Sequence, residues 1–409
     1  MLGKYTVAML LLCSVSAATT QADEKLAMAG MPFDSHTRSM VVSPRNYTDS
    51  LLAQTLLSIQ QNRLDVALRQ IENLLQLHPD FRLAQLIHGD LLLARARPLT
   101  TIGNVNAPAA KLNDLRDEAR ARLNSYLDRP IVGMIPEQLL QIDASIPAAI
   151  VVDTSKSRLY VFQNQDGKLN NVADFYVTIG KNGIDKTREG DGRTPLGVYY
   201  ITRKLEGRKL PDLYGSFAFP LNFPNDWDEK QGNLGHGIWL HGTVSSTYSR
   251  PPKASDGCVV LTNNDLNELG KYLTPGVTPV VITGHIKWVQ PQAAEADKDA
   301  LMRQIELWRR DWESRDTALY LRHYAADFTA NGTRLNEWAA GKRRVNQTKT
   351  WIKVDLSKVS IFEYPGQKHM YMVSFDQSYR SNNLSNVTHK RQYLVQHNGN
   401  WRIVAENGA

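Results

Sequence analysis

The stretch HGTVSSTYSRPPKASDGCVVL, from His241 to Leu261, holds the residues best suited to covalent chemistry. A cysteine becomes a nucleophile when a base takes its proton and the thiolate is stabilised. His241 is the natural base for Cys258. It ends the apolar run GIWL and is followed by Gly242, which lets a backbone or a substrate approach closely. Cys258 stands behind Ser255-Asp256-Gly257, where Gly257 permits a tight turn whose N–H groups can hold an oxyanion. Thirteen residues, 242–254, separate His241 from Ser255, enough chain to leave one strand end and return to its neighbour's. A cysteine–histidine pair on strand ends with backbone donors is the minimum for acyl transfer. The competing account of Cys258 is a small buried hydrophobe. With ten histidines in the chain the bare pair says little, and the ordered combination says more. His236, five residues before His241, reads as structural.

The compartment sharpens the case for Cys258. Residues 1–22 read as a secretory signal: Lys4, the apolar run VAMLLLC, and a small-residue cleavage site at TQA or VSA. That apolar run is shorter than the ~20 residues a spanning helix needs. The expectation is therefore an exported protein of the periplasm or cell envelope, with no stable membrane insertion. Of the two cysteines, Cys13 leaves with the signal, and a lone thiol in an oxidising compartment suggests wanted chemistry. The formal charge of +7 falls to +6 with Lys4 removed (47 basic against 41 acidic residues). It suits an anionic envelope surface, yet no basic block indicates nucleic acid. A single mature cysteine and no histidine pair at ligand spacing beside acids imply neither metal nor cofactor.

Three textures follow one another along the chain. Residues 45–130 carry helical periodicity interrupted at Pro79, with Ala67, Ile71 and Leu74 at the offsets of a tetratricopeptide second helix. This region is either a helical cap or a groove for an envelope protein. Residues 136–286 are short β-runs, with Asp166-Gly167 as a hairpin signal. Within them, 204–235 reads as a long aromatic-rich loop. Its Tyr214, Phe217, Phe219 and Trp227 either wall a substrate cleft or pack the loop onto the sheet. Residues 295–409 place Ile305, Trp308, Trp312, Leu319 and Tyr320 on helical faces, then strands that end in a turn at Asn398-Gly399. Helices before an antiparallel sheet make an α+β unit.

The middle region resembles the L,D-transpeptidase catalytic domain that remodels bacterial peptidoglycan. The resemblance rests on GDGRTPLGVYYI (190–201), WLHGT (239–243) and ASDGCVVL (254–261) and covers roughly residues 148–284. The final unit resembles the cone-shaped nuclear-transport-factor-like (NTF2-like) fold. Together these imply a mainly β catalytic sandwich, an N-terminal α-helical region and a C-terminal α+β cone-shaped domain. By the resemblance Cys258 is the nucleophile and His241 its base. Gly257 and Cys258 supply oxyanion N–H donors, and Ser255 supports the turn. Two departures stand out: Asp256 replaces a common histidine, and Val260 a common arginine. Substrate contacts are therefore expected from Arg193 or Arg250, and Ser255 and Tyr214 are also expected on the substrate side.

The substrate implied is the peptidoglycan stem peptide. Transfer from a tetrapeptide to an amine makes a transpeptidase, whereas transfer to water makes an L,D-carboxypeptidase yielding tripeptides. The family's commoner activity favours the first. The three-part architecture resembles carboxypeptidase members that influence cell shape. An inactive cell-wall-binding module, with Cys258 a relic, is the reading from another class. A papain-type peptidase has no CGSCW run here.

Overall fold

A computed structural model describes residues 47–98, 101–397 and 399–408. The signal sequence read in residues 1–22, with Cys13, lies outside them. The chain forms two compact units. One joins the residues up to Arg129 with a later segment, Thr243–Pro252; the other joins Pro130–Gly242 with everything from Lys253 onward.

The first unit is built on four helices, Tyr47–Gln60, Leu64–Leu77, Arg82–Leu93 and Ala109–Leu127, and Pro79 falls in the break between the second and third. Helices of 12 to 19 residues are marginal alone, so they depend on a common apolar core. Ala67, Ile71 and Leu74 supply it together with Leu52, Leu83 and Ile87. Arg122 and Glu118 are buried here and pair with each other, and Arg122 also pairs with Asp49. The segment Thr243–Pro252 contributes Tyr248 to the same core, its ring 4.2 Å from that of His78 and 4.6 Å from that of Phe81.

The second unit stacks three β layers. Its central five-stranded sheet runs, edge to edge, Lys168–Tyr176, Arg158–Gln165, Ala148–Asp153, Pro279–Thr283 and Gly197–Tyr200. The first two strands join at Asp166-Gly167, both left-handed (φ 52° and 88°), as a two-residue hairpin of matching twist requires. The middle strand AAIVVD is buried along its whole length, because both faces of this sheet are covered. On one face Ile150 and Val152 pack with Leu240, Val259 and Leu266. These come from a four-stranded layer, in the order Val259–Val260, Trp239–His241, Phe217–Pro220, Leu205–Glu206, and from the helix Asn263–Leu269. On the other face Ala149, Val151 and Tyr160 pack with Phe362, Met372 and Tyr393 of the C-terminal sheet.

That C-terminal sheet is a long antiparallel meander, Ile352–Glu363, Met370–Ser381, Ser385–His397 and Asn400–Gly408. Asn398 of the expected turn lies outside the described residues, while the flanking His397 and Asn400 pair in register. Its other face closes with the helices Glu295–Glu313 and Thr317–Leu321 over Trp308, Trp312, Tyr320 and Phe375. This is the cone-shaped α+β domain. Tyr324–Ala330 and Thr333–Arg334 extend the sheet beyond Asn400–Gly408, and a short strand from the start of the catalytic region, Leu139–Gln141, pairs with Ile352–Glu363 at the other edge, which makes seven strands.

The catalytic sandwich and the cone therefore share a core. Tyr200 Oη donates to Ser374 Oγ at 3.2 Å, and Asn225 Nδ2 donates to the Tyr364 hydroxyl at 2.9 Å. Removing the cone would leave an apolar sheet face in water, at about 25 cal/mol per Å². A chain ending after Gln290 is expected to be insoluble or molten. Within the whole protein the unit formed by Pro130–Gly242 and the residues from Lys253 onward is expected to melt in one calorimetric transition; separate transitions for sandwich and cone would mean that the domains are independent.

Candidate active site

The four-stranded layer pairs the strand that ends at His241 with the strand that directly follows Cys258. Leu240 pairs in parallel with Val259, and His241 with Val260. Side chains alternate along a strand, so Leu240 and Val259 turn to the core on one face. His241 and Val260 turn to the other, and carrying the alternation back one step past Val259 puts Cys258 on the side of His241. The two-residue ladder thus puts thiol and imidazole on one face, away from the apolar core.

The imidazole is buried (3% exposed), with Nδ1 2.7 Å from the carbonyl oxygen of Gly242. A carbonyl only accepts, so Nδ1 carries the proton and Nε2 is left as the basic nitrogen. Tyr214 stands edge-on to the ring with centroids 5.0 Å apart, and its carbonyl accepts from Gly242 N at 2.9 Å. Asn263 wedges beside this turn, and a β-carbon on Gly242 would lie 2.1 Å from its Oδ1. Gly242 is thus fixed by close packing.

The thiol is part-exposed, and Sγ donates to the carbonyl of Gly237 at 3.3 Å. Its turn is held by Ser255, whose Oγ donates to the Cys258 carbonyl at 2.6 Å and accepts from Gly257 N at 3.1 Å. The Gly257 N–H, expected as an oxyanion donor, is instead engaged inside the turn. Gly257 has φ 127°, and a β-carbon there would stand 2.6 Å from the Arg193 carbonyl oxygen. Thr194 Oγ1 donates to the Gly257 carbonyl and accepts from Gly180 N, both at 2.9 Å. Asp256 turns outward to Lys181 Nζ at 2.7 Å, so its charge is matched by a cation. Val260, where the family often has arginine, is buried and exchanges both backbone bonds with Thr178.

The GDGRTP motif organises the adjoining loop around Asp191. Its carboxylate accepts from Lys186 Nζ and from the N–H groups of Thr187, Arg188 and Arg193. Burial pushes this carboxyl up, but the four donors prevail and hold it at about 2. Arg193 is exposed, with Nη1 on the Ile184 carbonyl at 2.8 Å. Asp191, Thr194 and Asn263 escaped the sequence-level reading. The clue to Asp191 was available, since an aspartate between two glycines is a natural acceptor for successive backbone N–H groups.

Other expectations change. The stretch 204–235 is not an irregular loop: it contains the strand Phe217–Pro220 and the helix Asp226–Gln231, capped by Asn225 in a reciprocal box with Asp228. Phe219 and Trp227 are core residues, and Phe217 is partly buried under Lys204. Only Tyr214 of that aromatic set meets His241. Arg250 lies in the segment that folds with the helical unit. His236 is 76% exposed beside Glu189, so it packs nothing. Among the described residues no cluster of His, Cys, Asp and Glu has the form of a metal site, and no helix is long and apolar enough to cross a membrane.

Comparison with known proteins identifies the two domains. The family model of the L,D-transpeptidase catalytic domain matches residues 147–282, and that of the Cds6 C-terminal NTF2-like domain matches 300–407. The solved structure of Bdellovibrio bacteriovorus Bd1075 is 30% identical, with a TM-score of 0.59, over 68% of this chain and 98% of that one. The chain belongs to the L,D-transpeptidase family. A second structure, the helical cell shape determining protein Pgp2 from Campylobacter jejuni, aligns at 26% identity and TM-score 0.56 over 68% of this chain and 95% of that one. No curated protein sequence matches the chain. The L,D-transpeptidase domain and the NTF2-like domain are thus the sandwich and the cone.

Substituting Gly257 tests the turn in this L,D-transpeptidase domain. Gly257→Ala is expected to cost about 1–3 kcal/mol, from a backbone region suited to glycine and a clash with Arg193. Cys258→Ala should melt like the wild type. Equal melting temperatures for Gly257→Ala and wild type would show that the turn relaxes without strain.

Proposed function

We propose that the protein cleaves the tetrapeptide stem of peptidoglycan through a Cys258 acyl-enzyme and releases it to water as an L,D-carboxypeptidase. The observations that support the acyl chemistry are the parallel pairing of Leu240–His241 with Val259–Val260, which follows Cys258 directly, and the Gly242 carbonyl on Nδ1, which leaves Nε2 for the role of base. Nε2 takes the thiol proton, and the thiolate attacks the carbonyl preceding the terminal D-alanine. The tetrahedral oxyanion forms beside the Cys258 N–H. Imidazolium then gives its proton to the departing amine, leaving a thioester on the third residue. Water, activated by the same Nε2, hydrolyses the thioester to a tripeptide and restores the thiol.

Tyr214 is proposed as a wall of the donor site, since its ring meets that of His241. Arg193, exposed on the loop ordered by Asp191, would meet a stem carboxylate. Arg250 could do so only if the segment carrying it reaches the substrate. Water as the acceptor is favoured by the three-part architecture, which resembles carboxypeptidase members that influence cell shape, and by likeness to a helical cell shape determining protein. Trimming stems alters the pool available for crosslinking, which is a route to cell shape. Peptidoglycan lies outside the cytoplasmic membrane, so this function requires export, in keeping with the apolar run in residues 1–22.

Mass spectrometry of purified tetrapeptide muropeptides incubated with residues 23–409 tests the proposal. Tripeptide and free D-alanine are expected, with none from Cys258→Ala and a loss of about 100-fold or more from His241→Gln. Dimers joined between third residues would make the enzyme a transpeptidase. Unchanged substrate, with Cys258 unreactive toward alkylation at neutral pH, would favour a wall-binding module.

A further inference from the structure

The chain between base and nucleophile does not fold with the domain that holds them. After Gly242 it leaves for the helical unit, and it returns at Lys253. One residue separates His241 from this excursion, and five, 253–257, separate the excursion from Cys258. The carbonyl that fixes the His241 tautomer belongs to the peptide bond between Gly242 and Thr243. That peptide is the covalent junction between the two units. A rotation imposed from the Thr243 side would swing the carbonyl away from Nδ1 and release the imidazole.

The excursion is firmly seated in the helical unit. Tyr248 is 9% exposed, between His78 and Phe81. Ser249 Oγ donates to Glu118 Oε1 at 2.7 Å, and that carboxylate also accepts from Arg122 Nε at 2.9 Å. Arg122 in turn lies 5.2 Å from the Phe81 ring centre. The way back runs through Pro251 and Pro252, whose fixed φ makes a stiff link into the strand Lys253–Ser255. That strand pairs with Ile179–Gly180 and ends at Ser255, the residue that holds the Cys258 turn.

We propose that Tyr248 and Ser249 are positioning residues for the His241–Cys258 pair, acting by docking the Thr243–Pro252 segment into the helical unit. The helical unit is then a structural part of the catalytic machinery, tied to it at both ends of one ten-residue strap. Loosening the strap leaves the strands and the substrate walls in place but frees the Gly242–Thr243 peptide. The loss should therefore fall on turnover and on thiol activation rather than on substrate affinity.

This inference rests on His241 and Cys258 being the reacting pair, and the test separates the two. The rate of Cys258 alkylation by iodoacetamide is measured against pH in residues 23–409, alongside kcat and KM on tetrapeptide muropeptides. Tyr248→Ala should move the thiol titration toward the ordinary value of about 8.5. It should also lower kcat at least ~10-fold, since displacement by ~1 Å costs up to ~100-fold, with KM within about twofold. Tyr248→Phe, which keeps the ring packing, should restore both. Ser249→Ala should show the same pattern more weakly, and it serves if Tyr248→Ala fails to fold. A folded Tyr248→Ala or Ser249→Ala with the wild-type alkylation profile and kcat would overturn the strap. An alkylation profile unchanged in His241→Gln would instead overturn the catalytic pairing itself.

Discussion

Everything chemical in this molecule hangs on one short parallel pairing, Leu240 with Val259 and His241 with Val260. Two residues a side are too few to be stable alone, and the ladder persists because Leu240 and Val259 are sealed in the apolar core beneath it. The parity of that pairing decides which side chains turn away from the core. A slip of one residue would turn Leu240 outward and bury His241, so the force that excludes such a slip is the hydrophobic one. Packing below the ladder thereby selects the face on which imidazole and thiol meet. The Gly242 carbonyl then places the imidazole proton on Nδ1, which leaves Nε2 for the proposed role of base.

The surrounding layers serve the same end by rigidity. The central sheet is covered on both sides, by the layer that carries the catalytic pair and by the cone. The cone is thus a second wall of the enzyme's core, whatever else its far face does. That far face is aromatic and holds a buried charge group. Lys390 pairs there with Glu406, and Lys342 is lowered to about 8 by burial, with the Lys390 charge adding to the effect. The active-site loops rely on polar rather than apolar fixing. Asp191, Ser255, Thr194 and Asn263 each settle close-packed backbone that an apolar core could not reach.

Much of this was legible in the chain. The hairpin at Asp166-Gly167, the helix break at Pro79 and the strand ending in His241 follow from local chemistry: positive φ, a missing N–H and apolar runs. Cys258 and His241 stood out as the proposed nucleophile and base because their spacing and glycines are demanding. What escaped was set by contacts distant in sequence. Nothing near Ser249 announces a partner at Glu118, and nothing in LLQ announces a strand partner more than two hundred residues on. The 204–235 stretch was misjudged because its strand is only four residues long, while its helix begins in a run of acids that reads as loop. The Gly257 amide was assigned outward because sequence does not reveal that Ser255 Oγ takes it.

The strand Leu139–Gln141 has a consequence in time. Its side-chain bond from Gln141 Nε2 reaches the Val359 carbonyl, 218 residues away. Loop closure over such a span is slow, and folding rates fall as contacts become more remote in sequence. The strand Leu139–Gln141 has no partner until Ile352–Glu363 of the cone has been made. A nascent chain therefore holds the whole sandwich, as far as Thr283, before the cone that covers its central sheet has been made.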